Sequence, residues 1–433
     1  MEHRREEKHR REGATVNRKA AIGLLVVAAL IGVAVLSLDV RIRMKDAQPA
    51  GADWSPTKPY PAQDAYYPGT EALASDEMRV IACGTGMPMP RLKQAAACFI
   101  VELGNGDKFI FDMGAGSAER IAALGIPYDY LDKVFLGHLH IDHAGDFPEF
   151  VFSGGVMNRL TPVRVWGPTG IKPGWGTKAW WQKIREAWVW EETGRAAATD
   201  PRSSQVELTE FDWRKINNLV YDDNDVEIRT IPAIHADQAA SFLLEWNGLK
   251  FAFSSDTMPN RYWLEHTKGF DLVIHEAVLP PEAWREKYGF PPANAVYVST
   301  QVHTTPEAFG KMMSMTEPRM AVAYHFQNDT DTQPMMLQKI RKTYDGPLSL
   351  ATDFMVWNVT KEGIRTRMAV PSRETYMPPP QRPRMSSIGE LWDFDPVTVN
   401  GPEPETVKVT NEVIKAFNEK YGTDVPLAPV PEN

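Results

Sequence analysis

Cysteine is nearly absent from this chain of 433 residues: Cys83 and Cys98 are the only two. They sit in early apolar runs that should form adjacent strands. An oxidising compartment could pair them, although two buried free thiols are the more ordinary expectation. Positive charge is also in short supply. The formal net charge is −9, and with the ten basic and five acidic groups of the first 45 residues set aside, residues 46–433 carry −14. A surface that holds nucleic acid neutralises phosphates with Lys and Arg, so no nucleic-acid partner is expected. Charge of either sign is missing altogether from Ala20 to Leu38, nineteen residues. That length meets the roughly 20 needed for a helix to span a hydrocarbon core. Seven basic residues precede the run, against Arg41, Arg43 and Lys45 after it. The positive-inside rule then leaves the N-terminus in the cytoplasm and the remainder on the periplasmic or extracytoplasmic side of a plasma (inner) membrane. A cleaved signal peptide is the rival reading, but its apolar core would be about 7–15 residues.

Histidine is scarce too, ten residues in all, and its placement is uneven. His3 and His9 lie in the charged N-terminus; of the other eight, seven fall in the motifs described below and His266 is left over as an exposed helix residue. The densest motif, His138-Leu139-His140-Ile141-Asp142-His143, follows the apolar run Lys133–Gly137 and leads into a segment able to start a helix. On a strand-to-helix turn, His138 and His140 share one side of an extended chain while Asp142 and His143 lie around the bend. Imidazole and carboxylate are zinc ligands, and an open catalytic site takes about three from the protein. Four such groups are too many for one site and too few for two, so further ligands are expected from later in the chain.

His138-x-His140-x-Asp142-His143 resembles the signature of the metallo-β-lactamase superfamily. The resemblance implies a third His for the first metal, matched by His235, and a bridging Asp, matched by Asp256 in Ser254-Ser255-Asp256-Thr257, where Ser255 replaces the usual Gly. A last His for the second metal is matched by His325. Ile274-His275-Glu276-Ala277 and Val302-His303-Thr304-Thr305 look like paired motifs of the branch that holds tRNase Z and the metallo-β-lactamase-fold arylsulfatases, which implies that Glu276 and His303 supply a proton to the leaving group. Ile81–Pro88 and Phe111–Gly116 are similar to that branch's opening strands and glycine turns. The resemblance implies an α/β fold, a four-layer αβ/βα sandwich with the metals at one sheet edge. With this ligand set complete, neither cysteine is needed for catalysis.

Around that centre the expected organisation is a basic cytoplasmic segment (1–19), a transmembrane anchor (20–38), a linker (39–76), the hydrolase domain (77–370) and a Pro-rich extension (371–433). Strands are expected at Val80–Ala82, Cys98–Leu103, Lys108–Phe111, Val163–Trp166 and Leu249–Phe253, and helices at Ser117–Leu124, Ala179–Thr193, Pro306–Met313 and Glu405–Tyr421. Residues 168–204 gather Trp175, Trp180, Trp181, Trp188 and Trp190, either packed on the core or forming a wall for substrate. Their charges nearly balance, which does not favour a tRNA clamp.

The expected chemistry is hydrolysis assisted by two divalent ions, zinc in the first instance, with manganese or iron also compatible. A metal-bound hydroxide, oriented by Asp142, would attack a small-molecule ester, a phosphodiester or sulfate ester above all, with Glu276 and His303 as proton source. Lactone or other acyl hydrolysis, tRNA 3′ processing, or a metal-binding role without turnover are the alternatives. Membrane attachment through the N-terminal helix and an oligomer are the further partners this reading allows.

Overall fold

The computed structural model describes residues 64–196, 198–374, 379–383 and 401–430. The expected membrane segment, 20–38, lies outside them; among the described residues no helix is long and apolar enough to cross a membrane. Two sheets face one another. The first has nine strands in the spatial order Ala65–Tyr66, Ile364–Ala369, Met355–Val359, Met78–Gly84, Cys98–Leu103, Lys108–Phe111, Lys133–Phe135, Val163–Pro168 and Val206–Phe211. The second has seven: Leu348–Leu350, Met320–Tyr324, Leu272–Glu276, Leu249–Phe253, Gln238–Trp246, Val226–Ile234 and Asn218–Asp223.

Both sheets are mixed, and their central parallel strands read as unbroken apolar runs because both faces are covered. Between the sheets an aromatic core is buried, including Phe99, Phe111, Phe135, Phe242, Phe251, Phe253 and Tyr324. A second cluster packs the outer face of the nine-stranded sheet under the helices Phe147–Ser153 and Thr177–Ala187. A third packs the outer face of the other sheet under Pro281–Tyr288 and Pro306–Thr316. Helix, sheet, sheet, helix is the layering expected. Among the described residues five helices carry proline in the first turn, where its missing N–H costs nothing.

Three differences from expectation have physical causes. First, the folded region begins before residue 77: Ala65–Tyr66 pairs in parallel with Met368–Ala369, and the Tyr66 hydroxyl accepts from Arg79 Nη1 at 2.9 Å. Second, the segment 179–193 is two helices, Thr177–Ala187 and Val189–Arg195, broken at Trp188. The Trp188 ring lies flat on Phe152, centroids 5.6 Å apart, and its backbone leaves helical geometry at that contact. Third, Cys83 and Cys98 are joined in a disulfide and are not free thiols. The two strands are antiparallel neighbours, and a register shift at Ala82/Gly84 brings the Cα atoms to 5.1 Å.

The bridge closes a sequence separation of 15 residues, for which loop entropy gives about 3 kcal/mol. Replacing both cysteines by Ala should lower the unfolding free energy by about that amount. Denaturant melts check it: the untreated chain should unfold later than the variant, and reductant should bring the two midpoints together.

Candidate dinuclear metal centre

The chemistry-bearing residues converge at the carboxyl ends of strands from both sheets, most of them with a parallel neighbour, where open α/β folds place their sites. His138, His140, Asp142 and His143 follow Lys133–Phe135; His235 follows Val226–Ile234; Asp256 follows Leu249–Phe253; Glu276 ends its strand; His325 follows Met320–Tyr324. His140 is the N-cap of the short helix Ile141–Ala144, so the bend after it turns Asp142 and His143 to a second direction.

Among the described residues four groups of donor atoms each lie within 4.8 Å; one draws in Glu276 with His303, another draws in Asp112, and the two that join the sequence motif to the later residues are His138, His140, His235 and Asp256, and Asp142, His143, His325 and Asp256. Asp256 belongs to both, one oxygen to each. Its Oδ2 lies 3.8 Å from His138 Nε2 and 3.8 Å from His235 Nε2; its Oδ1 lies 3.1 Å from His143 Nε2 and 3.3 Å from His325 Nε2. Asp142 Oδ2 stands 3.2 Å from His325 Nε2. Asp256 Oδ1 and His143 Nε2 are buried without a hydrogen-bond partner. Buried polar atoms are normally paired, and two lone pairs pointed into one space are what a cation satisfies. The donor set therefore fits two divalent ions.

The atoms on the far side of the rings explain the orientation. His235 Nδ1 donates to the Val302 carbonyl at 2.8 Å, and His140 Nε2 donates to Asp237 Oδ2 at 3.2 Å. His143 Nδ1 donates to Asp112 Oδ2 at 2.6 Å; His138 Nδ1 donates to Ser255 Oγ at 3.1 Å, and that hydroxyl donates to Asp112 Oδ2 at 2.9 Å. Asp112 Oδ1 accepts the Gly137 N–H at 2.7 Å. One hidden carboxylate thus fixes a ring in each group. Gly137 has no room for a Cβ, because the Ser255 side chain fills that space, and a Cβ on Gly114 would strike the Asp142 carbonyl.

Charge follows the same layout. Burial opposes ionisation of Asp256, yet His143 and His325 hold its carboxyl well below the usual range. Burial also opposes a charged His143 ring, and Asp256, Asp142 and Asp112 outweigh it and raise the ring well above the ordinary value. Burial keeps His138 well below it, with the neighbouring His143 adding to the effect. His275, the one motif histidine outside the centre, is fully buried, donates Nδ1 to the Glu276 carbonyl at 2.7 Å and packs edge-on against Trp263. It is a core residue. His266 is half-buried at the end of the helix Arg261–His266.

Glu276 is fully buried and accepts from Thr257 N at 2.6 Å, from Thr304 N at 3.3 Å and from His303 Nδ1 at 3.0 Å. Burial lifts its carboxyl above the usual value while His303 pulls against it. Burial works against the His303 charge, but Glu276 prevails and pushes the ring up to about 9. Three donors and no acceptor surround Glu276, so the shared proton rests on His303, which reaches into the centre. The structure brings together all nine residues singled out in the sequence and adds Asp112, Asp237 and the hydroxyl of Ser255 as supports that the sequence did not point to; a lone acid ending the apolar run Lys108–Phe111 is the available signal for Asp112.

A family model described as anti-Pycsar protein Apyc1 matches residues 78–285. Ribonuclease Z of Mycolicibacterium gilvum (strain PYR-GCK) is 26% identical over 208 residues, 46% of this chain and 69% of the relative. Anti-Pycsar protein Apyc1 of Bacillus phage 010DV004 is 24% identical over 193 residues, 41% of this chain and 68% of that one. Among solved structures, the metallo-β-lactamase fold protein YhfI from Bacillus subtilis aligns with a TM-score of 0.51 at 14% identity, covering 66% of this chain and 100% of that one. This chain is a hydrolase of the metallo-β-lactamase fold. Within that fold its likeness is to the ribonuclease Z branch, and the arylsulfatase half of the expected resemblance gains no support from these relatives.

These relatives also correct one expectation. The acidity of residues 46–433 was read as excluding nucleic acid, yet the relatives of this hydrolase include ribonucleases. A net charge has no direction: the sum counts Asp142, Asp256 and Glu276, which point inward at the candidate metal centre, and it says nothing of the field at the site mouth.

Two outcomes follow from the geometry. Ser255 holds a left-handed φ of 49°, which Gly adopts freely. Ser255→Gly should relieve that backbone strain but remove the hydroxyl that holds His138 Nδ1 and Asp112 Oδ2, weakening metal affinity by about 10- to 100-fold, as read by chelator competition beside a denaturant melt. In metal-free protein the raised His303 ring should stabilise the fold fully below the ordinary value of about 6.5 and cease to do so as pH rises through about 9. The unfolding free-energy gap between the chain and His303→Gln should therefore shrink between those pH values; a gap that widens with pH would refute the ion pair.

Proposed function

We propose that this hydrolase is a two-metal phosphodiesterase acting on a nucleotide-containing phosphodiester, with an imidazolium proton donor beside the metal pair. The observation that carries the reading is Asp256, whose two oxygens each face a separate donor group about one shared space. Zinc suits the mixture of imidazole and carboxylate donors. His138, His140 and His235 would hold one ion, Asp142, His143 and His325 the other, and Asp256 both; bound there, such ions lower the pKa of water and offset charge building on phosphoryl oxygen.

The chain's own residues supply the rest. Asp142 is buried, which opposes its ionisation, yet His143 and His325 hold its carboxyl below the usual range; it is an acceptor able to orient an attacking water. His303 carries a proton on the side away from Glu276 and lies with its ring centroid 4.9 Å from that of His235 and 5.2 Å from that of His325. It is the group placed to protonate a leaving oxygen. Glu276 touches no substrate on this reading and acts by keeping that ring charged. The need for a proton donor favours phosphodiesters with poor leaving groups over lactones, and ribonuclease relatives add weight to a nucleotide-bearing substrate. The Cys83–Cys98 bridge supports an oxidising compartment for the domain, in keeping with an exported catalytic part.

Metal analysis of the full chain should return two divalent ions, and Asp256→Ala should empty at least one position. A panel of bis(p-nitrophenyl) phosphate, a single-stranded RNA oligonucleotide, p-nitrophenyl sulfate and an aliphatic lactone should show cleavage of the phosphodiesters. Sulfate or lactone turnover without phosphodiester turnover would overturn the proposal. His303→Gln should lose about 10²- to 10⁴-fold on an alkyl leaving group and markedly less on p-nitrophenolate, which needs no proton to depart.

A further inference from the structure

We infer that the tryptophan-bearing loop 170–176 forms a base-stacking subsite beside the metal centre, and that the substrate presents a nucleobase to the face of Trp175. The inference rests on the phosphodiesterase reading and extends it from the reacting group to the part of the substrate that is recognised. A cleft of about 300 Å³ is bounded on one side by His138 and His140 and on the other by Trp175, Trp180 and Lys183. A molecule reacting at the metal centre and extending along this side therefore meets the indole next.

The tryptophans of this region divide in two. Trp181 is 7% exposed and packs between Phe147 and Phe152, with ring centroids 5.1 and 5.7 Å away. Trp175 is 50% exposed and meets the Lys172 ammonium 4.9 Å from its ring. Packing accounts for the first and not for the second. The loop that carries Trp175 is nonetheless fixed. The Ile171 N–H donates to Gln238 Oε1 at 3.4 Å, the Lys178 N–H donates to Glu210 Oε1 at 2.9 Å, and the Thr177 hydroxyl donates to the Pro168 carbonyl at 2.9 Å. Gln238 lies three residues after His235, so one anchor of the loop is tied to the turn that carries a candidate ligand. A half-exposed ring on a loop whose ends are anchored gives up less freedom on contact than one on an unanchored segment.

The chemistry of the cleft selects its occupant. An indole face is sequence-tolerant toward bases, each of which has a π-face to offer. The Lys172 ammonium stands over the ring and Lys183 lines the cleft, so the two lysines supply positive charge of the kind a phosphate-bearing ligand requires, while Asp237, which also lines the cleft, is engaged by His140 Nε2 at 3.2 Å. An unsubstituted acyl or alkyl ester uses neither feature. A nucleobase linked to the scissile phosphate uses both.

The test uses the full chain loaded with metal and two activated diesters that share a leaving group, the p-nitrophenyl ester of thymidine 5′-monophosphate and methyl p-nitrophenyl phosphate. The kcat/KM ratio between them should fall by at least about ten-fold in Trp175→Ala, chiefly through KM of the base-bearing ester, and Trp175→Phe should restore most of it. An unchanged ratio in a folded variant overturns the subsite. A second arm needs no turnover: thymidine 5′-monophosphate should quench tryptophan fluorescence of the unmodified chain, and much of that quenching should vanish in Trp175→Phe. Should neither diester be cleaved, the phosphodiesterase reading fails while loss of quenching in the variant still sustains the subsite; quenching equal in both proteins overturns it.

Discussion

A single buried carboxylate with two clients is the constraint on which the site depends. Asp256 is 1% exposed, and a charge withdrawn from water to that degree is tolerated only where opposite charge and donors surround it. Here the surroundings are imidazoles from four separate stretches of chain, three of them at strand ends of the two sheets and the fourth, His303, just after the helix Pro292–Gln301. The sandwich must therefore close with the strand Leu249–Phe253 in register beside Leu272–Glu276, and with Lys133–Phe135 opposite, before the carboxylate has partners at all. The aromatic core between the sheets, where Phe111 packs against Phe251 and Phe253 at 5.3 and 6.1 Å, fixes that approach.

Backbone conformation carries part of the cost. Asp112, Ser255 and His325 lie at φ 56°, 49° and 70°, a region where a residue with a Cβ is disfavoured by about 1–3 kcal/mol. All three sit at or directly behind the donor groups. The hydrogen bonds among Asp112, Ser255 and Gly137 and the His325 N–H to the Thr85 carbonyl at 3.0 Å offset this strain locally. The bond between Asp112 and Ser255 also crosses from one sheet to the other, so the same contact that orients two rings clamps the layers.

What could be read from the sequence was what is local. His138, His140, Asp142 and His143 lie within six residues, and histidine is rare enough elsewhere that His235, His303 and His325 stood out. Strands such as Cys98–Leu103, Lys108–Phe111 and Leu249–Phe253 were legible to the residue, because a bounded apolar run of that length has few other uses. Relations across the chain were not legible. The disulfide depends on a register shift between two strands, the break at Trp188 on a ring in another helix, and the role of Asp112 on a hydroxyl 143 positions away. The acidic sum misled for a similar reason, since composition carries no geometry.

The loop 170–176 stands apart from this economy. Its backbone and that of the helix after it are pinned by two side chains, Gln238 and Glu210, while every candidate donor atom comes from a strand end or the turn behind one. Insertions, deletions or a change of aromatic residue there would leave the buried carboxylate network untouched. Selection can therefore redirect what is bound without rebuilding what cleaves, and a lineage carrying this scaffold can change diet through one segment of surface chain.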